Sequence, residues 1–104
     1  MVRRSVAVAL TFAGMVTAFP AAAAAADAAR GSQLARQWCA HCHITGTAPA
    51  PGTVQQGPPA FATIGMTADQ MHAFLTRPHG AMPDLALTRS EIDDVIAYIE
   101  TLRQ

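Results

Sequence analysis

Polar and apolar positions divide this chain into an apolar leader, three helical patterns and one long irregular segment. Arg3 and Arg4 precede an uncharged, mostly apolar run from Val6 to Phe19, which passes through Pro20 into the alanines Ala21 to Ala26. A basic start, an apolar middle and a small-residue end predict a secretory signal peptide over residues 1–26, cleaved around Ala24 to Ala26. Val6 to Ala26 is about as long as the ~20 residues that span a bilayer, but Gly14, Thr17 and Pro20 interrupt it and no basic residue closes its far side. One arginine pair is a weak twin-arginine signal, so general secretion is expected.

Residues 27–104 show no strand alternation. From Ala28 to Cys39, Ala28, Gly31, Leu34, Ala35 and Trp38 recur near the helical period. A second, short helix is predicted from Thr67, whose hydroxyl caps it while Gln70 returns the bond, and it ends before Pro78. Met71, Phe74 and Leu75 form its inward side. In the third, Thr88-Arg89-Ser90-Glu91 reads as a capping box. Ile92, Val95, Ile96, Ile99 and Leu102 follow on one face, with Asp93, Asp94 and Glu100 on the other.

Between the first two helices, Ile44 to Gly65 is rich in Pro, Gly, Thr and Ala, and Pro49, Pro51, Pro58 and Pro59 forbid a continuous helix. A loop of that length needs a surface to pack on. Removal of the leader leaves 78 residues, a size at which a side-chain core is marginal and a staple or cofactor is commonly required.

Charge narrows the partners. The chain has no lysine, and beyond residue 26 five arginines face seven carboxylates, a formal charge of about −2. That balance argues against nucleic acid and supplies no basic ring for docking on acidic proteins.

The chemistry is concentrated in Cys39-Ala40-His41-Cys42-His43. Cys-x-x-Cys-His is the attachment signature of a c-type haem: two thiols at the spacing of the vinyl groups, and an imidazole beside them for the iron. A structural disulfide is a poor alternative, because closing so short a loop removes little entropy from the unfolded chain. The sixth-ligand candidates are Met66, Met71, Met82, His41, His72 and His79. Met82 is preferred because Gly80-Ala81-Met82-Pro83 lies in a loop between helices, where a thioether can turn toward iron. Met71, spaced helically with Phe74 and Leu75, reads as core. His79 is the rival, with an open site behind it. His41 and His72 read as surface residues.

These features together resemble the small bacterial class I c-type cytochromes, over essentially all of residues 27–104. The resemblance implies an all-α fold, with three or more helices wrapped around one covalently bound haem c. In that family a glycine stands eight residues before the first cysteine, as Gly31 does, so that an aromatic-bearing last helix can cross closely. Asp94-Val95-Ile96-Ala97-Tyr98-Ile99 is similar to that helix, with Tyr98 in the aromatic place. Gly57-Pro58 matches the Gly-Pro whose proline carbonyl holds the axial imidazole, and Met82-Pro83 with Leu87-Thr88 matches the methionine-ligand segment. Ala35 departs from the aromatic that many relatives carry, and Trp38 is expected to restore some of that bulk.

With Cys39 and Cys42 in thioether links and His43 and Met82 on iron, the expected function is one-electron transfer by a periplasmic, monomeric carrier. Its donors and acceptors would be redox proteins, including membrane-bound respiratory complexes or a periplasmic dehydrogenase. The alternative is a haem peroxidase or gas-binding sensor with an open or labile sixth position, for which His79 is the one nearby distal candidate. A zinc or thiol-redox module is a third reading, weakened by the absence of strand patterns.

Overall fold

The computed structural model describes residues 8–19, 25–47, 49–50, 52, 56–77 and 80–103. Its helices are α1 (Ala28–Trp38), α2 (Ala68–Leu75) and α3 (Arg89–Leu102), with one 3-10 turn at Phe61–Thr63 and no β-strand among the described residues. The fold is all-α, as expected. No described helix is long and apolar enough to cross a membrane. Leu10, Phe12, Met15, Val16 and Phe19 of the N-terminal segment are exposed.

Each helix starts where local chemistry starts it. The Asp27 carboxylate accepts from the Arg30 N–H at 3.1 Å and caps α1. Both predicted capping boxes form: Thr67 with Gln70 on α2, and Thr88 with Glu91 on α3. At α3 the Glu91 N–H donates to Thr88 Oγ1 at 3.2 Å and the Thr88 N–H donates to Glu91 Oε2 at 2.9 Å. Bonding to the Thr88 backbone, then to its hydroxyl and the nearby Arg30, holds the Glu91 carboxyl below its ordinary pKa. Thr88→Ala removes the acceptor for the Glu91 N–H, and we expect it to cost about 1 kcal/mol. Denaturant unfolding followed by circular dichroism checks this, and an unchanged midpoint would show the cap to be dispensable.

α3 is the hub, packed by α1, α2 and the 3-10 turn. The buried core is Ala35, Cys39, Phe61, Met71, Ile92, Val95, Ile96 and Ile99. At the α1–α3 crossing a Cβ on Gly31 would lie 1.9 Å from the Asp94 carbonyl oxygen, so the helices touch backbone to backbone. The close approach is made by Asp94 and Val95. Tyr98, the residue in the aromatic place, sends its hydroxyl to the Thr45 carbonyl.

Three sequence expectations change. Asp94, assigned to the polar face, is 4% exposed. Its Oδ1 accepts from the Asp27 N–H at 2.7 Å, and Oδ2 lies 3.5 Å from Arg30 Nε. Trp38 is 49% exposed and adds no bulk beside the fully buried Ala35, whose small side chain suits a tight crossing. On α2 Met71 is buried and Leu75 packs half-covered against the core, while Phe74 is 40% exposed and turns away from it.

Candidate haem-attachment site

α1 delivers the attachment motif. Its last turn closes with the Cys39 and Ala40 N–H groups both on the Ala35 carbonyl, at 2.9 and 3.0 Å. The chain then coils around one acceptor: the Cys39 carbonyl takes the Cys42 N–H at 3.1 Å and the His43 N–H at 2.9 Å. The motif is thereby a compact turn continuing from the helix. Cys39 is buried and Cys42 exposed, and burial raises the pKa of the Cys39 thiol.

His43 is fixed by a residue the sequence resemblance missed by one. Its Nδ1 lies 2.7 Å from the carbonyl oxygen of Pro59, not of Pro58. The Phe61 N–H donates to the Ile44 carbonyl at 2.9 Å, which ties the chain just beyond Pro59 to the residue after His43 and brings the Pro59 carbonyl to the ring. A carbonyl only accepts, so the proton sits on Nδ1 and the lone pair on Nε2. The imidazole therefore presents Nε2 as a ligand in the required tautomer. Its other face is held by Phe61, with ring centroids 5.4 Å apart and planes at 55°.

The segments that carry these groups are tied to α3. Besides Tyr98 on Thr45, Arg103 donates to the carbonyls of Ile64 at 3.0 Å and Met66 at 2.6 Å, and it pairs with Glu100. The long Pro-rich segment is thus pinned near both its ends. Pro59, Phe61, Tyr98 and Arg103 were not singled out for this work from sequence. The adjacent Pro58-Pro59 pair was the one local signal for the first of them.

Met82 lies on the separate segment between α2 and α3 and is half-buried. Gly80, two residues before it, has φ +52°, a conformation open to glycine at little cost. Beyond it the Ala86 N–H donates to Asp84 Oδ1 at 2.9 Å, while Ala86 itself has φ 51°. Leu85 and Leu87 pack this segment onto the core, as Met66 packs its own. The rival ligand His79 lies outside the described residues. Met71 belongs to the core and His41 is exposed. His72 is not a free surface residue: it faces α3, with Nε2 3.8 Å from the Asp93 carboxylate and screened from solvent.

These residues fit a covalently held haem. Two thiols and an imidazole whose Nδ1 is already engaged stand on one turn, beside a core rimmed by half-covered apolar side chains that include Leu34, Ile64, Leu85 and Leu87. A flat apolar macrocycle would bury such a rim. Among the described residues no three His, Cys, Asp or Glu side chains gather as a metal site, which leaves the zinc reading without a ligand set there.

An all-α domain in which the first and last helices cross and the first ends in a Cys-x-x-Cys-His turn defines a c-type cytochrome of class I. The chain belongs to the c-type cytochrome family: the family model described as cytochrome C oxidase, cbb3-type, subunit III matches residues 26–99. It is 36% identical over 92 residues to cytochrome c-552 of Bradyrhizobium diazoefficiens, covering 85% of this chain and 86% of that protein. Members of the family carry covalently attached haem c. No solved structure matches the chain.

Proposed function

We propose that this cytochrome is a periplasmic one-electron carrier, exported by residues 1–26, with His43 and Met82 as the axial ligands of a haem linked to Cys39 and Cys42. The observation that carries the reading is the 2.7 Å bond from His43 Nδ1 to the Pro59 carbonyl. It commits the other ring nitrogen to iron and fixes the ring before any partner arrives.

Haem iron, when bound, supplies a ferric–ferrous couple. The chain's own residues set its terms. Cys39 and Cys42 fix the macrocycle to the end of α1. Pro59 keeps the proton on Nδ1 and makes Nε2 a better donor. The Met82 thioether, a soft ligand, favours the ferrous state and raises the potential above that of a bis-histidine site. With two protein ligands there is no open coordination position, so electron transfer is the remaining chemistry. The similarity to a family described as an oxidase subunit supports respiratory partners: redox proteins of the periplasm or its membrane. The 5-to-7 balance of arginine and carboxylate and the missing lysines favour partners that do not rely on an acidic docking face.

The deciding measurement is the absorption spectrum of the periplasmically expressed protein, oxidised and reduced. We expect sharp c-type bands on reduction and, in the ferric state, the weak long-wavelength band of methionine-bound iron. Met82→Ala should abolish that band and lower the potential while leaving the haem attached. A wild-type protein that lacks the band and binds CO in the ferrous state would favour the sensor or peroxidase alternative instead.

A further inference from the structure

Asp94 is the buried charged residue of the described structure, at 4% exposure. Its partners are weak for a carboxylate so placed. Arg30 Nε stands 3.5 Å away on a side chain that is 58% exposed and that also leans toward Glu91 at 3.7 Å. The closest donor is a backbone group, the Asp27 N–H at 2.7 Å. A buried carboxylate ordinarily needs a full positive charge with directed hydrogen bonds.

That backbone nitrogen belongs to the first residue after the small-residue zone Ala24-Ala25-Ala26. Ala25 and Ala26 are exposed and outside any helix, and α1 starts at Ala28. We propose that leader removal cuts between Ala26 and Asp27, and that the new α-ammonium of Asp27 is the missing counter-ion of Asp94, locking α1 onto α3. This rests on the export reading above. The step is a hydrolysis by a leader peptidase: water adds across the Ala26–Asp27 amide, the carboxylate leaves with Ala26, and the nitrogen of Asp27 gains the protons of an ammonium. One amide donor at 2.7 Å becomes a charged group with three donors at the same place. Because cleavage accompanies export, the charge is present when the helices first pack.

The groups around this ammonium are the Asp27 carboxylate and Arg30 on α1, Arg89, Glu91, Asp93 and Asp94 at the start of α3, and, across the cleft beside Ala26, Asp69 and His72 of α2. The α1 dipole opposes a positive charge at its N-terminus, and the Asp27 and Asp94 carboxylates outweigh it. The chain has no lysine, so an alkaline window that lies above the ordinary range of carboxylates and imidazoles and below that of guanidinium groups reports on the amine. A free α-amine titrates near pH 8. Pairing raises that value in the folded state, so the stabilisation is complete below about pH 8 and is lost as pH rises through the raised value.

The test uses the holoprotein in two forms: the natural periplasmic product, and one made with a foreign leader cut to leave Ala25-Ala26 in front of Asp27. The longer form keeps the backbone hydrogen bond but moves the charge away. We expect intact mass to place the natural N-terminus at Asp27. Its unfolding equilibrium constant should rise about tenfold more than that of the longer form between pH 7 and pH 10, the change carried by one unit of pKa. Asp94→Asn in the natural form should flatten that difference. A different natural N-terminus, or equal alkaline profiles in the two forms, overturns the proposal. Both outcomes are read independently of the haem spectrum that tests the carrier function.

Discussion

Gly31→Ala should destabilise the holoprotein by about 3 kcal/mol or more, at the upper end of what overpacking costs. The added Cβ would stand 1.9 Å from the Asp94 carbonyl oxygen, 2.5 Å from its carbonyl carbon and 2.9 Å from the Val95 nitrogen. All three are backbone atoms in the middle of α3, so no side-chain rotation relieves the clash and α1 has to move as a unit. Alanine also gains about 1 kcal/mol of helix propensity over glycine, which is smaller than the clash and opposite in sign, so the net effect remains a large loss. Against a total stability on the order of 5–15 kcal/mol, the unfolding midpoint should fall steeply. Because α1 ends at Cys39, displacement of the helix also reaches the attachment turn. Gly65→Ala is the matched control, since nothing lies within 4 Å of the Cβ it would add. Denaturant unfolding of both variants, followed by helical signal and haem absorbance, checks the prediction. A Gly31→Ala protein as stable as its parent would mean that the helices do not cross at this glycine.

What could be read from sequence was what is local. The capping boxes of α2 and α3 are four-residue events, the period of Ile92, Val95, Ile96 and Ile99 marks one helix face, and the five-residue motif is contiguous; all needed only their own neighbourhood. Asp94 shows where such reading stops. On its own helix it belongs with Asp93, and nothing nearby in sequence hints at burial. Its hydrogen-bond partner Asp27 and ion-pair partner Arg30 arrive from α1, more than 60 positions earlier, and they meet it only because Gly31 lets the two backbones touch beside it. Trp38 misled for the complementary reason. Its spacing fits the α1 stripe, but one turn beyond Ala35 the residue that enters the core is Cys39, and its neighbour Trp38 turns outward. The choice of Pro59 over Pro58 depends on the direction of a carbonyl, which the Phe61-to-Ile44 hydrogen bond sets and composition does not record.

Phe61→Ala should cost about 3–5 kcal/mol, the range for deleting a buried phenylalanine. Phe61 is 4% exposed and joins two jobs that sequence periodicity keeps apart. Its ring belongs to the core formed with α3 and Met71, and the same ring packs against His43 at 5.4 Å. Its backbone N–H holds Ile44, the residue after His43, and this contact survives the substitution. The loss is thus the cavity and the imidazole's packing partner, with the turn itself left in place. Phe74→Ala makes the comparison internal, because it deletes the same side chain from a site that is 40% exposed and should cost only about three-fifths as much, in proportion to the apolar area that is buried. Unfolding midpoints of the two variants decide it. Equal losses would move Phe74 into the core and leave His43 with only its Pro59 bond for support. A loss confined to Phe61 would place the support of the core and of the His43 imidazole on one side chain, so that what stabilises the fold also holds the proposed iron ligand still.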